Sequence, residues 1–77
     1  MYVLKANTKQ GEVFYMNIIC ITEQIESAET FETIEDAKKE IQHFKNLFHY
    51  EDIEPEIMEL TKENIEKYNK LYEKKWG

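Results

Sequence analysis

The chain contains no arginine; its ten basic side chains are all lysines. The forked guanidinium that most often reads guanine or clamps phosphate is therefore missing. Sixteen acidic residues set the net charge at −6, which further disfavours nonspecific attachment to a phosphate backbone. Direct nucleic-acid binding is left as a weak alternative, resting on the lysines near the C-terminus. Cys20 is the one cysteine, which excludes an internal disulfide framework and a cysteine-based zinc cage. Inside "NIICI" it reads as a small, buried, inert thiol. One proline and two glycines argue against a disordered or low-complexity chain. No apolar run approaches the ~20 residues needed to span a bilayer. The opening "MYVLKANTKQ" has neither the apolar core of a signal peptide nor the basic amphipathic character of a transit peptide, so a soluble, cytoplasmic protein with no membrane partner is expected.

What is present is enough for one small core. At 77 residues the chain reads as a single domain, 1–77, expected to bury about 60% of its unfolded surface. Such a core usually supplies no more than about 3–5 kcal/mol of net stability, so contacts with a partner or a second copy could matter to the folded state.

"YVLKA" (Tyr2 to Ala6) reads as a strand, and the polar "NTKQGE" reads as a turn in which Gly11 is free to take positive φ. "VFYMNIICI" (Val13 to Ile21) is rich in aromatic and β-branched residues. It reads as one long central strand of an antiparallel hairpin, with one face on the helices and the other on a loop, a neighbouring chain or a partner. Thr33 with Asp36 resembles a capping arrangement for the helix "IEDAKKEIQHFKNLF". Its inward residues are Ile34, Ala37, Ile41, Phe44 and Phe48, with Leu47 alongside. "IEPEIMEL" (Ile53 to Leu60) alternates partly as a third strand, with Pro55 suited to its start or exposed side. Thr61 then caps a last helix over about 62–76, acidic early and lysine-rich late in accord with the helix dipole. The expected fold is α+β: a small three-stranded antiparallel sheet with two helices, in the order β-β-α-β-α.

Chemistry has little to stand on. His43 and His49 are six apart and do not share a helix face, and Glu40 with His43 makes two potential ligands, not a metal site. Ser27 is the sole serine and lies in no nucleophile-elbow context; no Gly-rich phosphate loop occurs. No catalytic residue, cofactor or metal is assigned, and the expectation is a protein that is not an enzyme. Two features remain as candidate binding elements. Tyr68, Tyr72 and Trp76 stand four apart on the last helix, where aromatic side chains offer large contact area; the plainer reading is that the tyrosines cover the sheet and only Trp76 is an exposed anchor. "TEQIESAETFETIEDA" places a glutamate at every third position, including Glu23, Glu26 and Glu29. Interleaved are Ile25, Ala28, Phe31, Ile34 and Ala37. A period of three fits neither strand nor helix, so the plain reading is several short elements in series with solvated glutamates. The alternative is an acidic surface that imitates a nucleic-acid backbone and occupies a basic groove.

The segment "ITEQIESAETFETIEDAKKEI" resembles a pattern found in small, mostly uncharacterised proteins of phages and of Gram-positive or related bacterial genomes. A strand is followed by a short helical turn, an Ala, an aromatic, a Thr or Ser cap, and a helix opening on two acids and Ala. Thr22, Ile25, Ala28, Phe31, Thr33, Glu35, Asp36 and Ala37 occupy those positions. The resemblance covers about Tyr2 to Leu60 and transfers no catalytic residue. It implies a phage or prophage accessory protein, acting in the host cytoplasm by binding and modulating a host protein such as a defence or nucleic-acid-processing enzyme. The competing expectation is a self-associating module, a homodimer through the apolar second face of the hairpin or the aromatic stripe.

Overall fold

The computed structural model describes residues 1–9, 11–48 and 52–76. Strand β1 (Tyr2–Thr8) alternates two apolar sets, with Leu4 and Ala6 facing one side of the sheet and Val3 the other. It pairs antiparallel with β2 (Gly11–Asn17) in the register Ala6↔Val13, and the hairpin closes at Thr8↔Gly11. Gly11 has φ +117°, a conformation open to glycine alone at no steric cost, and the Thr8 hydroxyl donates to its carbonyl oxygen. β1 also pairs antiparallel with β4 (Glu56–Glu59).

Among the described residues the sheet has four strands, not three, in the spatial order β3-β2-β1-β4. The stretch expected as one long strand folds back on itself: β2 ends at Asn17, Ile18 and Ile19 form a turn, and β3 (Cys20–Thr22) returns antiparallel to β2. Asn17 causes the reversal, since its Oδ1 accepts a hydrogen bond from the Ile19 N–H at 2.9 Å. That side-chain bond replaces the ladder contact a continuing strand would make. The register slips between Tyr15 and Asn17, a bulge that bends the hairpin end. The chain order is therefore β-β-β-α-α-β-α, with a 3-10 turn (Ile25–Ser27) before the first helix.

Both sheet faces are covered, which corrects the expectation of one face left to a loop or partner. On the first, α1 (Ile34–Lys39) and α2 (Ile41–Asn46) pack Ala37 and Phe44 onto Leu4, Ala6, Val13 and Tyr15, joined by Phe31 and Ile53. On the second, α3 (Lys62–Trp76) and the 3-10 turn pack Tyr68 and Ile25 onto Val3 and Phe14, Phe14 meeting Tyr68 edge-to-face with ring centres 5.3 Å apart. Thr33 caps α1 by accepting from the Asp36 N–H, and Thr61 accepts from the Asn64 N–H at the start of α3. The single helix expected over residues 34–48 is broken at Glu40, whose N–H reaches Ala37 rather than the residue four back. Ile34, expected inward, is 40% exposed: it is the first residue of a six-residue helix whose one buried residue is Ala37.

The period of three dissolves at the crossing between faces. Ile25 belongs to the α3 side and Phe31 to the α1–α2 side. Between them the chain passes beside the sheet, with Glu29 N–H donating to the Tyr15 carbonyl and Phe31 bridging to Tyr2. His49 lies outside the described residues.

Candidate partner-binding surface

The hairpin joining β2 to β3 spends apolar residues where neither core nor turn needs them. Ile18 and Ile19 are 62% and 76% exposed, and Met16, Cys20 and Ile21 are also exposed. Tight hairpin turns favour glycine or asparagine at positive φ, yet two β-branched residues stand here and neither adopts positive φ. Met16 to Thr22 carries no charge, in a chain that is 34% charged. Cys20, expected buried, is therefore at the surface: the fold-back that shortens β2 puts β3 at the rim of the sheet.

The two rims differ in chemistry. β4 carries Glu56 and Glu59, preceded by Glu54 and Pro55, the charges and proline by which sheet edges are blunted. β3 has Cys20, Ile21 and Thr22, with no charge or proline within it; its edge is limited instead by its three-residue length and the bulge in its pairing with β2. Its outer backbone groups follow from the ladder. The Tyr15 carbonyl is engaged by Glu29 on the side of β2 away from β3, so Tyr15 and the opposing Ile21 do not hydrogen-bond to each other. The N–H and C=O of Ile21 point away from the sheet.

Four of the six residues singled out as candidate partner contacts converge beside this rim. Glu23, Tyr68, Tyr72 and Trp76 line one cleft of about 250 Å³ with Gly11, Phe14 and Leu71. A shallower one, holding Ile21, Thr22, Tyr72 and Trp76, joins it to β3. Tyr68 is buried, with its hydroxyl donating to Glu12; Tyr72 is half-buried, and Trp76 is 61% exposed. Glu23 is a tether for the end of α3: its carboxylate accepts from Lys75 Nζ at 2.9 Å and from Trp76 Nε1 at 2.6 Å. Glu26 accepts from Asn69 of the same helix. Glu29 is not with them; it lines a cleft of about 260 Å³ with Tyr15, Asn17, Ile18, Phe31 and Glu40. The three glutamates do not form one stripe.

The polar groups at these clefts are largely paired internally. Lys5 bonds Glu12 at 2.8 Å. Burial pulls its pKa down, but Glu12 and Tyr68 outweigh that and hold it above the ordinary lysine value. Glu40 accepts from the Tyr15 hydroxyl at 3.1 Å and meets His43 Nδ1 at 2.6 Å. Among the described residues no three His, Cys, Asp or Glu side chains stand as a metal site, and no helix is long and apolar enough to cross a membrane.

The Glu23 tether is testable by acid titration. Lys75, opposed by burial and aided by Trp76, holds the Glu23 carboxyl below the ordinary glutamate value. A depressed carboxylate contributes stability that is present above the unfolded value and lost as pH falls through the folded one. Trp76 is the one tryptophan, so its emission is expected to shift with a midpoint below the ordinary glutamate value, a step absent in Glu23→Gln. Because the pair is partly exposed, the stability change is expected to stay within about 1 kcal/mol.

The residues that sequence reasoning missed are Met16, Ile18, Ile19 and Ile21. Their signal was Asn17, a turn former inside an uncharged run. No protein-family model, no curated protein and no solved structure matches the chain.

Proposed function

We propose that this protein is a non-enzymatic binding protein of the phage or mobile-element accessory kind, which attaches to a host protein and modulates or inhibits it. A host defence or nucleic-acid-processing enzyme is the sharpest form of that reading. The observation that carries it is the uncharged hairpin Met16–Thr22, with Ile18 and Ile19 at its exposed tip and an uncharged edge strand beside it. Large apolar side chains held in water without a structural need are a signature of a contact surface. Trp76 and Tyr72 extend that surface onto α3, and the sequence pattern from Thr22 to Ala37 supplies the phage-type context.

Replacing Ile18 and Ile19 together by serine keeps the charge and removes the apolar tip. Stability is expected to change by no more than about 0.5 kcal/mol per site, since both side chains are mostly exposed. Capture of the partner from host lysate is expected to fall at least about tenfold, because burying even one isoleucine is worth about 1.5–3 kcal/mol. A double variant that retains the same captured protein at the same yield removes the hairpin from the interface.

The second reading, a self-associating module, rests on the same open rim, since an uncharged edge can pair with its own copy. Light scattering across concentration decides it: a strict monomer ends this reading. For the nucleic-acid alternative, two of the five lysines of α3 are engaged within the molecule, Lys75 lying against Glu23 and Lys67 over the Tyr68 ring.

A further inference from the structure

We infer that β3 accepts an extended segment of the partner protein as a fifth strand, and that this segment alternates apolar with basic residues. The inference rests on the host-binding reading above and adds the mode of attachment and the chemistry of what is bound.

The mode follows from the backbone. Ile21 presents both its N–H and its C=O outward, so an added strand can exchange two hydrogen bonds with it, as in recognition by strand addition. The other rim of the sheet is guarded by Glu54, Pro55, Glu56 and Glu59, so the two edges are not equivalent and β3 is the one left open. Successive side chains of an added strand fall on opposite faces. On the α3 face they meet Thr22, Tyr72 and Trp76, and the exposed indole and half-buried phenol give apolar side chains a surface to cover.

The chemistry follows from charge. The clefts around the hairpin and β3 bear Glu12, Glu23, Glu26, Glu29, Glu40 and Glu73 against one lysine among their described lining residues, Lys75, which is paired with Glu23. Carboxylates thus flank the uncharged strand on both faces, and the chain as a whole carries −6. Charge complementarity favours a basic segment by speeding its encounter and rejecting acidic competitors. It also decides against a second copy as the occupant: pairing β3 with β3 would set these carboxylates against their equivalents, two chains of −6 approaching edge to edge.

The test uses the full chain and a short synthetic peptide of alternating valine and lysine, blocked at both ends. Two controls accompany it: the peptide with glutamate in place of lysine, and the valine–lysine peptide with its backbone nitrogens methylated so that it cannot donate to a strand edge. Titration is followed by Trp76 emission and by the rate at which an alkylating reagent modifies Cys20. The valine–lysine peptide is expected to bind at least about tenfold tighter than either control and to slow Cys20 alkylation in proportion to occupancy. Equal binding of all three peptides, or no binding, overturns strand addition, as does a dimer that forms by sedimentation without peptide and shields Cys20. If the peptide fails while Ile18→Ser/Ile19→Ser still loses its lysate partner, strand addition falls and the host-binding reading stands. If the double variant also keeps its partner, both fall.

Discussion

Phe44→Ala is expected to destabilise the fold by about 3–5 kcal/mol, the range for deleting a fully buried aromatic side chain. Phe44 is completely buried and is the one buried residue of α2. Its ring packs against Tyr15 and Phe48 at centre distances of 5.6 and 5.8 Å. A helix of six residues has no stability of its own, so α2 stays on the sheet through this fully buried side chain together with the half-buried Ile41. A domain of this size commonly has a net stability of about 3–5 kcal/mol, which the loss would consume; urea denaturation of the variant is expected to show a population already unfolded without denaturant. Phe14→Ala, on the opposite sheet face, is expected to cost a similar amount, since Phe14 is equally shielded and meets Tyr68. The control is Ile34→Ala. Helical spacing treats Ile34 and Phe44 alike, but Ile34 is 40% exposed, and its replacement is expected to stay within about 0.5 kcal/mol. Equal effects at residues 34 and 44 would mean that α1 and α2 pack as one continuous helix.

That contrast shows where sequence periodicity carries and where it stops. Local signals with a mechanism of their own were legible. The Thr33 cap needs only the Asp36 N–H three residues on, and Gly11 needs only a turn that demands positive φ. The α+β class and the antiparallel pairing follow from elements of this kind. The features that were not legible depend on partners distant in sequence. The break at Glu40 coincides with a carboxylate drawn to the Tyr15 hydroxyl, 25 positions away. Ile25 and Phe31 look like one apolar series, yet they lie on opposite faces because Tyr2 and Tyr15 supply the hydrogen bonds that carry the chain across. The hairpin is hidden for a different reason: apolar residues at a turn tip mimic a buried strand, since hydrophobicity records what a side chain is, not whether anything covers it. Of the candidate contacts, Tyr72 and Trp76 of the aromatic stripe lie next to β3 because α3 ends beside it. The glutamate series did not form a surface, because Glu23 and Glu26 lie toward α3 and Glu29 lies on the other side.

Tyr15 gives the largest expected dependence on pH. Its side chain is buried on the α1–α2 face, and the hydroxyl donates to Glu40. Burial, then the adjacent Glu40 carboxylate, pushes its pKa from 10.0 to about 12. For an acid held in its neutral form by the fold, the stabilisation is complete below the unfolded value and is lost as pH rises through the folded one. The window is therefore pH 10 to about 12. At about 1.4 kcal/mol per tenfold change in proton affinity, and discounted because Tyr15 and Glu40 line an open cleft, the loss across it is expected to be on the order of 1–2 kcal/mol. Glu40 marks the other end of the same contact: His43, opposed by burial and aided by Tyr15, holds its carboxyl below the ordinary glutamate value, so its contribution is kept above that value and lost in acid. Tyr15→Phe separates these effects. Near neutral pH the variant is expected to lose about 1.5–3 kcal/mol, the usual contribution of a hydrogen bond to a charged partner, while keeping the ring contacts with Phe31 and Phe44. Between pH 10 and 12 its stability is expected to fall less steeply than that of the parent, and the latest phenolate absorbance step is expected to disappear. Equal alkaline loss in the two proteins would show that ionisation elsewhere drives it and that the Tyr15 hydroxyl is not held by Glu40.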